Sequence, residues 1–140
     1  MLVAGRAIVA DRTRWVRGHM AIAFTPNGVT YPTQPHHPKA ECFCAAGAAE
    51  RAGHDLGLSS AERHLAHHPV YYATMLLNRA ANEMGFANIV FLNDRDQVAA
   101  LNPPDAEIHA DVLRAYPSHR ARRPGPRRRG VDRHRSRSRH

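Results

Sequence analysis

Leu2, Gly5, Ile8 and Val9 recur at helical spacing and predict an opening helix that ends near Asp11 or Trp15. From Met20 the period changes to two. Met20, Ile22 and Phe24 alternate with His19, Ala21 and Ala23, and Val29 and Tyr31 alternate again beyond Thr25-Pro26-Asn27-Gly28. Asn-Gly between alternating apolar runs predicts a β-hairpin. Pro32, Pro35 and Pro38 then make a rigid, irregular connection that holds His36 and His37.

The spacing predicts a small-residue helix over 40–52, with Gly53 just past its end and Ala45, Ala48, Ala49 and Ala52 on one face. Such a face suits close approach to another helix. Ser59-Ser60-Ala61-Glu62 matches a capping box, with Ser59 as cap and Glu62 reaching back, and predicts a helix that meets Pro69. Pro69 can open the next helix, whose apolar stripe is Val70, Ala73, Leu77, Ala80, Ala81 and Met84, with Gly85 ending it. Ile89 to Leu92 is a four-residue apolar run rich in β-favouring residues and predicts a short buried strand, with Asn93-Asp94 turning out of it. Asn102-Pro103-Pro104 starts a last helix, with Asp105 and Glu107 favourable in its first turn. Ile108, Val112 and Tyr116 face inward along it, and Pro117 stops it. The pattern predicts a small α+β domain, mainly helical, with one β-hairpin and one short strand.

Length changes this picture little: 140 residues fit one domain plus an extension. Charge changes it more. The formal net charge of +8 is an average over two unlike parts. Residues 1–116 hold ten basic against eleven acidic residues, a net of −1. Residues 117–140 hold ten arginines against Asp132, a net of +9. We therefore divide the chain into a near-neutral domain over 1–116 and an Arg-rich tail over 117–140. The tail's only large apolar residue is Val131, so its composition predicts disorder. Arg127, Arg128 and Arg129, with the Arg-Ser alternation after them, resemble an arm that binds nucleic acid or another polyanion without sequence preference. Arg-, Pro-, Gly- and His-rich sequence is also what GC-rich DNA yields in a shifted frame, and that reading stands beside the first.

No run approaches the length of a membrane span, and no secretory signal is read at the N-terminus. Two cysteines, Cys42 and Cys44, make no disulfide framework, and their spacing is poor for bridging each other. A reducing cytoplasm is the expected compartment.

Cys44 falls early in a predicted helix, where the helix field favours a thiolate. It is a candidate nucleophile, and the alternative is a small core hydrophobe. His64, His67 and His68 share a helical face in H-x-x-H-H, and with Cys42 and Cys44 they are weak candidates for a metal. The spacing matches no standard zinc module, and His68 has a simpler reading as a helix cap. Asp94, beside Asn93, Arg95 and Asp96, stands where loops present polar groups; the alternative is a turn bonding its own backbone. Trp15 with Arg17 could form a stacked patch or anchor the core. No phosphate-binding loop, nucleophile elbow or H-E-x-x-H occurs.

Four segments, in order, carry a resemblance. They are Ile8-Val9-Ala10-Asp11 to Trp15-Val16-Arg17-Gly18, then Cys44-Ala45-Ala46-Gly47-Ala48, Asn88-Ile89 to Leu92-Asn93-Asp94, and His109-Ala110-Asp111-Val112-Leu113. Together they resemble the DUF6197 proteins of actinobacteria and their phages, over roughly residues 1–116. The matching positions are Trp15, Arg17, Gly18, Cys44, Gly47, Asn93 and Asp94. Phe43 and Leu92 stand where the family favours tryptophan. The resemblance implies an actinobacterial or prophage origin and carries no activity, cofactor or substrate.

The expected function is that of a small cytoplasmic accessory protein that binds rather than catalyses. Its partner would be a protein or small molecule contacted through Trp15, Arg17, Asn93 and Asp94, with no cofactor, no metal and no membrane. Two alternatives remain open: a Cys- or metal-dependent hydrolase using Cys44, His64 and Asp94, and a non-specific nucleic-acid binder acting through the tail.

Overall fold

The computed structural model describes residues 1–59, 61, 64–94 and 105–117. They form a small α+β domain of five helices and one three-stranded antiparallel sheet. The helices are α1 (Leu2–Ala10), α2 (Ala45–Asp55), α3 (Pro69–Glu83), α4 (Ile89–Asp94) and α5 (Asp105–Ala115). The strands are β1 (Ala21–Phe24), β2 (Thr30–Thr33) and β3 (Cys42–Phe43), and a single 3-10 turn spans Arg12–Arg14. No helix among the described residues is long and apolar enough to cross a membrane. Residues 118–140 of the Arg-rich tail, with Arg127, Arg128 and Arg129, lie outside the described residues.

The hairpin forms as its Asn-Gly signal predicts, with β1 pairing β2 from Ala21 opposite Thr33 to Phe24 opposite Thr30. Its loop is longer than a two-residue turn: Thr25 N–H donates to Val29 O, and Gly28 takes a positive φ of 78°. Pro32 is tolerated because β2 is an edge strand. The faces of β1 are the surprise. Ala21 and Ala23 are buried, whereas Met20 and Phe24 face outward. The cause is the helix lying against the strand. A Cβ built on Gly47 of α2 would stand 1.9 Å from Met20 O. At that approach only methyl groups fit beneath the helix, and the larger side chains turn to the other face.

Helix α2 also starts later than its pattern predicts. Cys42 and Phe43 pair with the free edge of β1 instead, Phe43 opposite Ala21, so the helix begins only at Ala45. It also runs past Gly53, ending at Asp55 with Gly57 at φ +81° beyond it. Gly53 is interior because α3 packs on it: a Cβ there would meet Val70 Cγ2 at 2.6 Å. One turn earlier α2 packs on α1, where a Cβ on Gly5 would meet the Ala49 backbone at 3.1 Å.

Helix α3 follows its stripe, with Val70, Ala73, Leu77 and Ala81 buried. Pro69 occupies its first turn, and Gly85 follows its end at φ +90°. No helix lies between α2 and α3 among the described residues: Ser59 Oγ accepts from Ala61 N–H, and 64–68 form turns. Glu62 lies outside the described residues. The predicted strand at Ile89 to Leu92 is helix α4. Asn88 caps it by accepting Phe91 N–H at 3.0 Å, and Asn78 Oδ1 accepts Ile89 N–H at 3.0 Å. Ile89 and Leu92, three apart, are buried while Val90 and Phe91 are exposed, a helical pattern that four residues are too short to reveal. Ile108 and Val112 of α5 are buried as predicted, and Tyr116 follows them just beyond the helix. The core joins the five helices, β1 and β3 through Val9, Ala21, Phe43, Ala45, Leu77, Leu92 and Val112. Burying each larger side chain among these contributes about 2 kcal/mol.

Candidate functional site

Residues 15–18, 44–47 and 93–94 are far apart in sequence and meet at the N-terminus of α2. Asn93, 1% exposed, is their centre. Its Oδ1 accepts the Trp15 indole Nε1–H at 2.8 Å and Ala45 N–H at 3.1 Å. Its Nδ2 donates to Val16 O at 3.2 Å and to Asp94 Oδ1 at 2.6 Å. That carboxylate oxygen also accepts Gly18 N–H at 2.9 Å, where Gly18 takes φ +76°. Neither Asn93 nor Asp94 therefore makes a turn bonding its own backbone. They close α4 over the 15–18 segment and the start of α2. Val16 N–H donates to Phe43 O at 3.1 Å, which joins the same segment to the sheet.

Cys44 is the N-cap of α2. Its Sγ accepts Gly47 N–H at 3.3 Å and lies 3.8 Å from Met20 Sδ. The helix N-terminus does not leave it a thiolate. Burial pushes the thiol up to about 11, from an ordinary value near 9, against the opposing effect of the Gly47 N–H. Ala45 N–H is occupied by Asn93 and Gly47 N–H by Cys44, so these donors of the helix start are turned to the fold's own acceptors. Cys42 is likewise buried, its Sγ donating to Thr13 O at 3.3 Å, and desolvation raises its thiol too. Both cysteines are free.

A cavity of about 120 Å3 opens beside this arrangement, lined by His19, Met20, Cys44, Val90, Asn93 and Asp94 among others. It brings together a thiol, an imidazole and a carboxylate. The histidine is His19, which the sequence pattern did not single out. His64 and His67 lie in the turns before α3, and His68 caps that helix by accepting Val70 N–H on Nδ1 at 3.2 Å. The expected shared helical face for His64, His67 and His68 is absent, because the chain turns rather than coils there. Among the described residues no group of three or more His, Cys, Asp or Glu is arranged to hold a metal ion.

Two more side chains complete the surroundings. The His109 ring lies tilted against the Trp15 ring, centroids 5.1 Å apart, and donates through Nε2 to Val9 O at 2.6 Å. Tyr116 donates its hydroxyl to Ala45 O, and burial raises its phenol well above the ordinary range. Tyr116 was legible as an inward position; the role of His109 had no signal beyond lying in the fourth segment. Phe43 and Leu92 are fully buried core residues. No family model, no curated protein and no solved structure matches this chain.

Proposed function

We propose that this chain is a small accessory protein, cytoplasmic and of phage or prophage type, that acts by binding and not by covalent catalysis. The origin rests on the resemblance to the DUF6197 proteins. The binding role rests on one observation: the nucleophile that shares a cavity with a histidine and a carboxylate is engaged as a helix cap. A thiol with a pKa near 11 holds almost no thiolate at neutral pH, and thiolate is the reactive form.

Alkylation of the native protein near neutral pH tests this. Cys44 should label only at the rate of unfolding, and denaturant should make both thiols react at once. Rapid labelling of Cys44 in the folded protein would overturn the proposal and favour the hydrolase reading, with His19 in place of His64 beside Cys44 and Asp94.

The tail supports a second activity on a separate observation, the division of charge into −1 over residues 1–116 and +9 over 117–140. Ten arginines within 24 residues give a sequence-independent attraction for nucleic acid.

A further inference from the structure

We infer that the outer face of α3 pairs with the same face of a second copy of this chain, the two helices running antiparallel about a two-fold axis between Met75 and Leu76. The face is apolar where a monomer would be polar. Tyr72 is 62% exposed, Met75 52% and Leu76 51%, although the helix already buries Val70, Ala73, Leu77 and Ala81 on its inner side. A groove of about 410 Å3 beside Leu76 and Tyr72, floored by Met1, Leu2 and Ala73, gives room for a partner side chain.

The charges along this face say what covers it. At helical spacing after Tyr72 and Leu76 come Arg79 and Glu83, which pair with each other at 3.0 Å and stay 78% and 66% exposed. The proposed axis places the Tyr72 ring of one copy against Arg79 of the other, a cation over an aromatic face, and does so twice. It also places Glu83 against the first turn of the other copy's α3, near His67. Glu83 is unfavourably set in the last turn of its own helix, where the dipole repels an anion, and the first turn of α3 carries no acidic residue. Antiparallel pairing supplies each helix start with the acid it lacks. The pattern is self-complementary: aromatic and imidazole at one end, cation and anion at the other, aliphatic groups at the centre.

Sedimentation of the full chain at physiological salt, from micromolar to millimolar concentration, tests the pairing. A monomer–dimer equilibrium is expected. Leu76→Glu should weaken it by at least about 30-fold, the effect of losing a central contact. Arg79→Glu should weaken it as well, and since Arg79 projects into solvent this variant reads the interface even if the first disturbs folding. Leu76→Cys should form a disulfide-linked dimer under mild oxidation, because residues at the axis meet their own copies. A monomer at every concentration would overturn the inference. So would a dimer indifferent to both charged substitutions, which would place the contact elsewhere.

Discussion

The indole N–H of Trp15 and the Ala45 backbone N–H share one acceptor, Oδ1 of Asn93, at 2.8 and 3.1 Å. One buried amide therefore ties the 15–18 segment, the start of α2 and the end of α4. Such a junction is sensitive because removing its centre leaves several buried partners without a bond.

Asn93→Ala should lower unfolding free energy by about 3 kcal/mol, measured by denaturant titration, since Trp15 Nε1–H, Ala45 N–H and Val16 O all lose their partner. Trp15→Phe, which removes one donor and keeps most of the ring, should cost about 1 kcal/mol beyond its lost area. Equal effects from both would mean that Asn93 does not organise the junction.

Gly47→Ala should be among the most damaging single-methyl additions in the chain. The new Cβ would stand 1.9 Å from Met20 O, and the obstacle is backbone rather than a flexible side chain. A loss of about 3 kcal/mol or more is expected. Gly28→Ala adds the same methyl in open space, at a positive φ in the hairpin loop, and should cost about 1 kcal/mol. Thermal unfolding of the pair separates crowding from backbone strain.

Alkaline pH should destabilise the fold. The Cys44 thiol is raised from about 9 to about 11 in the folded state, so between these values the unfolded chain releases a proton that the folded chain keeps. Stability conferred by the neutral thiol is intact below pH 9 and is lost as pH rises towards 11. Tyr116 acts in the same direction. Cys44→Ser keeps a capping atom and removes the titration, so its loss of stability from pH 8.5 to 11 should be smaller by about 2 kcal/mol. An unchanged pH profile in this variant would show that the thiol is not held neutral by the fold.

A chain ending at Pro117 should unfold at the same midpoint as the full chain. Nucleic-acid binding by the full chain should fall steeply with salt, show no sequence preference and vanish on truncation, because residues 1–116 carry a net charge of −1. Electrophoretic mobility shifts at two salt concentrations decide it. Selective binding by the shortened chain would contradict the division of the molecule into neutral domain and basic tail.

The elements that periodicity revealed are those whose partners are bulky or whose ends carry glycine or proline. Helix α3 has five stripe residues, with Pro69 in front and Met84 and Gly85 behind, and each level agrees. Where the core is built from methyl groups, the pattern inverted. The alternation separates Met20, Ile22 and Phe24 from Ala21 and Ala23, and the nearness of α2 makes the small pair the buried face of β1. Gly53 looked like a helix end and is instead where Val70 fits. In α4 the decisive residue was Asn88, a cap that a four-residue apolar run concealed. Of the site, Trp15, Gly18, Cys44, Gly47, Asn93 and Asp94 stood out through the resemblance, while His19 did not, because nothing local places it beside Cys44. That the motif residues converge is a tertiary fact, written in bonds between positions up to 78 apart.

The seam between α1 and α2 leaves a different mark on this chain. A Cβ on Gly5 would stand 3.1 Å from the Ala49 backbone, so a side chain there requires α2 to give way slightly. A conventional core forgives one enlargement through a rotamer change nearby, but the atoms that a Cβ on Gly5 would meet are backbone. An added carbon at Gly5 therefore acts on the spacing of the two helices as a whole rather than on one neighbouring side chain.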